Sequence, residues 1–206
     1  VMAAWGVPVN QPDHAERACF AALEMVDELQ KLTRQDQELG TDIQLQIRIG
    51  INSGRMVAGN VGGQKRFNYT VVGDEVNLAS RLEGINRVYG TVIMIGPNTA
   101  ELVKNTFELR EIDLVRVKGK SHAVKVYELQ QKKGDLHENQ YQVNELFAKG
   151  REYLIQRDWR NARICFERGL SLQKEDGPCQ LYIARCLQFE KNPPGPEWDC
   201  AVSLEK

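Results

Sequence analysis

The stretch VVGDEVNLASRLEG, residues 71–84, changes its pattern halfway and decides how the chain folds at this point. β-Branched residues come first, Gly73 and Asp74 interrupt them, and apolar residues at helical spacing follow. This order predicts a strand, a tight turn and a helix. Asn77 and Arg81 are four residues apart, so they share one face of that helix. Taken alone, the pair fits a solvated helix face as well as half of an anion-binding site.

Strands and helices interleave on both sides of this stretch. Apolar runs and alternations predict strands at residues 1–9, 43–52, 66–72, 91–96, 107–117 and 123–129. Apolar periodicity predicts helices at residues 11–32, 76–88 and 97–105. The glycine-rich residues 53–66, which include GNVGG, are expected to turn tightly. Interleaving without strict βαβ regularity predicts an α+β fold with a mainly antiparallel sheet and packed helices.

The composition is that of an ordinary soluble globular protein. The 206 residues are 42% hydrophobic and 27% charged, with a formal net charge of −1. Because the strong basic excess of a nucleic-acid binder is absent, we expect no nucleic-acid partner. No apolar run is long enough to predict a membrane span. The five cysteines are odd in number and form no CxxC pair, which favours reduced thiols and a cytoplasmic setting over disulfides or a zinc site.

The sequence becomes purely helical towards its end. Residues 130–140 are polar and predict a linker, and residues 141–206 follow as a separate helical region with a tail. The recurring small and aromatic positions of this region are typical of a tetratricopeptide (TPR) helix pair; they are Gly150, Tyr153, Ala162 and Phe166. One such repeat is too short to be stable alone. We therefore expect it to dock on the first domain or on a protein partner, with the tail PPGPEWDC covering its open end.

Several polar residues are explained by a role in the fold and need no role in chemistry. Asp74 suits the N-cap of the helix that follows it, and Asp13 with Glu16 suits a capping pair for the first helix. The three histidines, His14, His122 and His137, are scattered and predict no metal cluster. A strand that ends near Thr70, a tight turn and a helix that carries a guanidinium would nevertheless make a reasonable cradle for phosphate oxygens, since arginine binds them with two parallel hydrogen bonds.

Three segments resemble the signature of class III nucleotidyl cyclases, the adenylate and guanylate cyclases. These segments are RFNYTVVGDEVNLASRLEG, IRIGINSGRMVAGNVGG upstream of it and VRVKGKSHAVKVYEL downstream, in the family's order and spacing. The resemblance covers residues 1–129 and implies a ferredoxin-like catalytic domain. The implied reaction converts a nucleoside triphosphate to a 3′,5′-cyclic monophosphate and pyrophosphate. In it, Asn77 matches the residue that orients the ribose, and Arg81 matches the residue that neutralises charge on the α-phosphate.

Two further substrate contacts are assigned through the resemblance. Lys118 matches a lysine that contacts the terminal phosphates; Lys120 lies close enough to take its place, and either is also interpretable as a solvated hairpin charge. Thr70 matches the position that reads the purine edge, where threonine favours ATP over GTP. A threonine hydroxyl can also bond to guanine, and threonine is common in strands, so other interpretations of Thr70 stay open.

The resemblance also implies groups that we expect outside this sequence. The family reaction uses two metal ions, Mg²⁺ or Mn²⁺, held by two aspartates that would lie upstream of Val1. VMAAWGVP matches the strand that follows the second aspartate, so we interpret the sequence as an N-terminally truncated piece that does not cyclise ATP by itself. Active sites of the family form between two catalytic domains, which makes a second cyclase domain, as in a homodimer, the expected partner.

Two hypotheses follow for the whole protein. The first is an adenylate cyclase that makes cyclic AMP in intracellular signalling. The second is a non-catalytic cyclase-like domain that dimerises or binds nucleotide, with a TPR-like tail that recruits a protein. The joint presence of Thr70, Asn77, Arg81 and Lys118 favours the enzyme, because a degenerate site is expected to lose some of these residues.

Overall fold

The computed structural model describes residues 1–38, 45–63, 66–116 and 122–203. Within these residues the helices are α1 (His14–Glu38), α2 (Asp74–Tyr89), α3 (Pro97–Val103), α4 (Glu138–Ile155), α5 (Trp159–Leu172) and α6 (Gly177–Lys191). The strands in the same residues are β1 (Ile49–Ile51), β2 (Val57–Gly63), β3 (Arg66–Val72), β4 (Ile93–Ile95), β5 (Phe107–Arg116), β6 (Val124–Lys132) and β7 (Val202–Ser203). None of the described helices is long and apolar enough to cross a membrane.

The main sheet is mixed. Its strand order is β1-β4-β6-β5-β7, with parallel pairs at both edges and antiparallel pairs at the centre. β2 and β3 form a separate antiparallel hairpin. The predicted α+β class is confirmed, but the prediction of a mainly antiparallel sheet is wrong. The hairpin and α2 carry the chain across from β1 to β4, so that β4 runs parallel to β1, and apolar alternation does not encode strand direction.

Two helical layers cover the two faces of this sheet. α1 and α3 pack on one face against Ile93, Ile95 and Phe107. α2 and the helices α4 to α6 pack on the other face, where Met94 and Val126 are buried. Because successive side chains of a strand point to opposite faces, the single strand β4 contributes to both cores.

Three predicted elements differ from the structure. Residues 1–9 form bends and no strand, and strand β1 occupies only three residues of the predicted range 43–52, of which 43 and 44 lie outside the described residues. The GNVGG run lies in strand β2 and not in a tight turn, since its backbone pairs with β3 along the whole hairpin. The predicted capping pair of α1 is also different: Asp13 pairs with Arg17 at 2.8 Å, and Glu16 accepts a hydrogen bond from the Thr106 hydroxyl at 2.6 Å.

The C-terminal helices begin soon after the sheet ends. β6 continues to Lys132 and α4 begins at Glu138, so the irregular connection is shorter than the predicted linker and buries Leu136. α4 and α5 pack through Gly150, where a Cβ atom would lie 2.6 Å from the ring of Phe166. The two helices therefore approach closely where this small residue meets the aromatic ring.

The tail after α6 folds back over the helices. Trp198 packs edge-on against Trp159 and Phe189, with ring centroids 5.5 and 5.3 Å away. The Arg157 guanidinium donates to the carbonyl oxygens of Pro194 and Gly195 at 3.0 and 2.7 Å. β7 then pairs with β5 at the edge of the sheet. The tail therefore covers one end of the helical region and one edge of the sheet.

α2 and α6 meet without intervening side chains. A Cβ atom on Gly177, at the start of α6, would lie 2.8 Å from the Cα of Gly90 and would also overlap the Tyr89 carbonyl oxygen. Gly90 itself has a left-handed backbone and caps the end of α2. The contact is thus between two backbones, neither of which can yield by a rotamer change.

We expect Gly177→Ala to lower the free energy of unfolding by about 1–3 kcal/mol, because the new methyl group must push the two helix ends apart. Gly84→Ala is the matched control: Gly84 is inside α2, and a Cβ there meets no atom within 4 Å. That substitution should stabilise the protein by ~0.5–1 kcal/mol. Urea unfolding of both variants checks the pair, and equal stability of the two would contradict the packing described.

Candidate active site

The candidate site is built where β3 turns into α2. The carbonyl oxygen of Gly73 accepts hydrogen bonds from the amides of Val76 and Asn77, each at 3.1 Å. Gly73 is therefore the N-cap, and Asp74 is the first helical residue. The prediction of Asp74 as N-cap is wrong by one position, because the glycine already makes the turn. Asp74 still suits this place, since the helix dipole favours negative charge in the first turn.

Asn77 and Arg81 lie on the outer side of α2. Asn77 is exposed and Arg81 is half-buried. In the described part of the chain neither side chain has a hydrogen-bond or ion-pair partner. Leu78, Leu82 and Ile85 fix the adjacent side of the helix in the core, about 90° around the helix axis from this pair. The structure thus places an amide and a guanidinium one turn apart, with their polar atoms available to a ligand.

The backbone of β1 supports α2 from below. A Cβ atom on Gly50 would overlap the carbonyl oxygen of Ala79 and the amide nitrogen of Glu83, so strand and helix touch through their main chains. A glycine in the middle of a strand is the usual sign of such an approach. This contact sets the height of α2 above the sheet, and with it the position of Arg81.

The residues after β1 hold the first turn of α2. The Asn52 side-chain amide donates to the Glu75 carbonyl at 3.1 Å and to the Glu75 carboxylate at 2.7 Å. Gly54 packs so tightly that a Cβ would lie 2.6 Å from Cγ of Glu75. The Asn52 Oδ1 atom is buried against Gly96 and has no hydrogen-bond partner among the described residues. The anchoring role of Asn52 was missed in the sequence, where only the position of Asn52 directly after the isoleucine alternation marked it.

α3 secures the same segment from its other side. The Thr99 hydroxyl donates to the Ser53 hydroxyl at 2.9 Å, and the Asn98 side chain donates to the Ser53 carbonyl at 3.0 Å. Both Ser53 and Thr99 are buried. The segment that supports the start of α2 is therefore fixed to two helices at once.

Thr70 lies on the hairpin that leads into α2. It pairs with Gly59 across the hairpin, so no side chain stands beside it on the neighbouring strand. Directly opposed residues of an antiparallel pair point to the same face. That face also carries Val57, Val61 and Val72, whose side chains are all more than half exposed. Thr70 is thus a half-buried hydroxyl within an exposed apolar patch.

The other predicted phosphate contacts are not among the described residues. Lys118 and Lys120 lie outside the described residues. The described residues contain no group of three or more His, Cys, Asp or Glu side chains that could hold a metal ion. Near Asn77, the carboxylate of Glu75 is bound by Asn52, so the first turn of α2 does not present a pair of open carboxylates. The residues described here do not fit a two-metal site, and we derive no step through one.

Comparison with known proteins gives consistent matches for the first two thirds of the chain. The sequence profile of the adenylate and guanylate cyclase catalytic domain matches residues 1–131. Adenylate cyclase 1 of Rhizobium meliloti (strain 1021) is 36% identical over 129 residues, which are 63% of this chain and 19% of that protein. The terminal-differentiation specific adenylate cyclase of Dictyostelium discoideum is 33% identical over 144 residues, which are 68% of this chain and 7% of that protein. The chain therefore spans a small part of these relatives.

Solved structures of cyclases match the same part of the chain. The adenylyl cyclase CyaB from P. aeruginosa matches with a TM-score of 0.56 and 33% identity, over 64% of this chain and 67% of that one. The guanylyl cyclase Cya2 matches almost equally, with a TM-score of 0.55, 33% identity and coverage of 64% and 66%. Sequence profile and fold together define a nucleotidyl cyclase domain. The chain belongs to the adenylate and guanylate cyclase family, a family of generally metal-dependent lyases, as its sequence motifs predict.

The anchor at Asn52 leads to a prediction with a pH dependence. Asn52→Ala removes two hydrogen bonds to Glu75 and should cost about 1–3 kcal/mol of stability. Asn52→Asp keeps the shape but puts a second carboxylate beside that of Glu75. Repulsion and burial should raise the pKa of the new carboxyl group above its unfolded value. Its destabilising effect is therefore full at neutral pH and is relieved as the pH falls through that raised pKa.

Urea unfolding of the Asn52 variants, at intervals of about one pH unit between roughly pH 4 and pH 8, measures how the free energy of unfolding depends on pH. Asn60→Asp serves as the control, since Asn60 is an exposed residue of the hairpin. A pH profile of Asn52→Asp that parallels the control would show that Asn52 does not face the Glu75 carboxylate.

Proposed function

We propose that this chain supplies the ribose- and phosphate-binding half of an adenylate cyclase site, which converts ATP to 3′,5′-cyclic AMP and pyrophosphate in intracellular signalling. The observation that carries the proposal is the available pair Asn77 and Arg81 on a helix whose adjacent side is fixed in the core. Membership of the cyclase family supports the same reaction.

The chemistry of the two side chains fits the two needs of this reaction. The Asn77 amide offers a donor and an acceptor, which suits the hydroxyl and ring oxygens of ribose. The Arg81 guanidinium offers a permanent charge and a planar fork for phosphate oxygens. As the ribose 3′-oxygen bonds to the α-phosphorus and the bond to pyrophosphate breaks, negative charge is redistributed around that phosphorus. A guanidinium held in place there stabilises the transition state without having to reorganise.

Thr70 is our candidate for reading the purine. Its hydroxyl lies on the hairpin that runs directly into α2, beside the gap left by Gly59. A flat base could occupy that gap, with its edge at the hydroxyl, and we propose adenine as that base. Lys118, or its neighbour Lys120, is proposed as the contact for the terminal phosphates.

A second cyclase domain is proposed to complete the site. The exposed face of the hairpin, formed by Val57, Val61 and Val72 around Thr70, is the apolar surface that such a domain would cover. We propose that two Mg²⁺ or Mn²⁺ ions would be held by carboxylates outside the described residues and would add positive charge at the triphosphate. The 206 residues alone are then expected to form no cyclic nucleotide.

The helical region after the sheet is proposed to be TPR-like. The packing of Gly150 on Phe166 and the helix hairpin that it joins support this assignment. Such a region could bind a protein, which would be a further partner of the enzyme.

Arg81→Ala in the full-length protein should lower turnover of ATP by about 10²–10³-fold, because the charge at the α-phosphate loses its stabilising group. The fold should be unaffected, since Arg81 has no partner among the described residues. Arg81→Lys keeps the charge without the fork and should give intermediate turnover. Turnover of the unaltered protein and of both variants is measured as cyclic AMP and cyclic GMP formation with Mg²⁺ or Mn²⁺. Circular dichroism checks their fold.

Arg87→Ala is the matched control, because Arg87 is an exposed arginine in the last turn of the same helix. Its turnover should stay near that of the unaltered protein. Unchanged turnover of Arg81→Ala would refute the role of Arg81. A full-length protein that binds ATP but forms no cyclic nucleotide would instead favour a non-catalytic, nucleotide-binding cyclase domain, and preference for GTP would overturn the assignment of adenine.

A further inference from the structure

The C-terminal end of α2 is held in a buried polar junction. The Tyr89 hydroxyl, on the last turn of α2, donates to the Asp113 carboxylate at 2.7 Å. The Arg185 guanidinium, on α6, donates to the same carboxylate oxygen at 2.7 Å. The other carboxylate oxygen accepts from the amide of Leu114 at 2.8 Å. Tyr89 is completely buried and Asp113 is 2% exposed, so water does not compete for these bonds.

Further contacts join this junction to α6. The Tyr182 hydroxyl donates to the carbonyl of Ile112, next to Asp113, at 2.7 Å. The Arg185 guanidinium also lies over the Tyr182 ring, 4.4 Å from its centroid. Burial, together with the negative charge of Asp113, raises the pKa of Tyr89, so its hydroxyl remains a proton donor throughout the neutral range. The junction therefore ties three elements, α2, β5 and α6, through one carboxylate.

The junction and the candidate catalytic pair are at opposite ends of one rigid element. Asn77 precedes Tyr89 by twelve residues, which in an α-helix is a distance of about 18 Å. A tilt of only about 3° at the Tyr89 end would move Asn77 by ~1 Å. A misplacement of that size can cost on the order of 10²-fold in rate. Small changes in how α2 is anchored would thus be amplified at its other end.

We infer that Tyr89, Asp113 and Arg185 are positioning residues for Asn77 and Arg81, and that α6 therefore forms part of the catalytic unit. This inference rests on the proposed function. It assigns the helical region a role inside the cyclase domain, in addition to any partner that it binds. No residue of the junction touches the nucleotide; each acts through the direction of α2.

Two variants test the junction with little change of shape. Tyr89→Phe removes one oxygen from α2, and Arg185→Met removes the charge from α6 while keeping a long apolar side chain. Hydrogen exchange on the 206-residue chain should become faster for the amides of α2 in both variants. The amides of α4 and α5 should keep their protection, whereas a general loss of stability would speed exchange everywhere.

In the full-length protein, both variants should lower turnover per folded molecule by about tenfold or more, with a smaller change in the KM for ATP. Arg185→Lys retains a donor for Asp113 and should recover part of the loss. Arg163→Met is the control, since Arg163 binds Glu167 and Glu190 within the helical region and has no partner in α2. That control should leave both the exchange of α2 and the turnover near their original values.

Unchanged exchange of α2 in Tyr89→Phe and Arg185→Met would overturn the inference, as would turnover equal to that of Arg163→Met. If the unaltered full-length protein forms no cyclic nucleotide, the proposed function fails and the positioning role for catalysis fails with it. The exchange rates do not depend on that outcome, so they still decide whether α6 restrains α2.

Discussion

The contact between the backbone of β1 and the backbone of α2 is the constraint on which the candidate site depends. Gly50 permits it, because any side chain at this position would overlap Ala79 and Glu83. Polar contacts continue the same seam in both directions: Asn86 donates to the Ile49 carbonyl at 2.9 Å, and Asn52 donates to Glu75. The contacts run in opposite directions along the two elements: Ile49 meets the end of α2 at Asn86, and Asn52 meets the start of α2 at Glu75. The strand thus holds α2 along most of its length and fixes its rotation about its own axis.

That rotation decides which side chains face outwards. With Leu78, Leu82 and Ile85 directed into the core, Asn77 and Arg81 lie about a quarter turn around the helix from them, with Asn77 exposed and Arg81 half-buried. Asn77 and Arg81 have no hydrogen-bond partner among the described residues, so this fixed helix leaves their polar atoms for a ligand. The same arrangement has a cost at Asn52. Its side-chain amide group holds Glu75, and its Oδ1 atom is buried against Gly96, where no donor among the described residues reaches it.

The sequence carried the information for α2 and its polar pair, because helical periodicity and the Gly73 turn are local signals. It did not carry strand direction, since parallel and antiparallel strands share the same alternation, and this is why the mixed sheet was not foreseen. Residues 1–9 are apolar enough for a strand but have no neighbour to pair with among the described residues. Gly50 was visible as a glycine between isoleucines, and such a glycine in a strand could have indicated the helix contact. Asn52 offered no comparable signal, because an asparagine after a strand is common in turns whatever its side chain binds.

The charged residues of β5 show why the helical region cannot be considered apart from the cyclase domain. In the sequence, Arg110 and Asp113 are charged residues of a predicted strand, and such residues are ordinarily expected to face solvent. In the structure both are buried, and their partners Asp176 and Arg185 come from the helical region. Buried ion pairs add little net stability but strongly penalise misalignment, because a shifted helix would leave a charge buried without its partner. Apolar surfaces alone would let the helices slide over the sheet; these pairs select one register. The family profile ends at residue 131, but the buried core that supports α2 continues well beyond it.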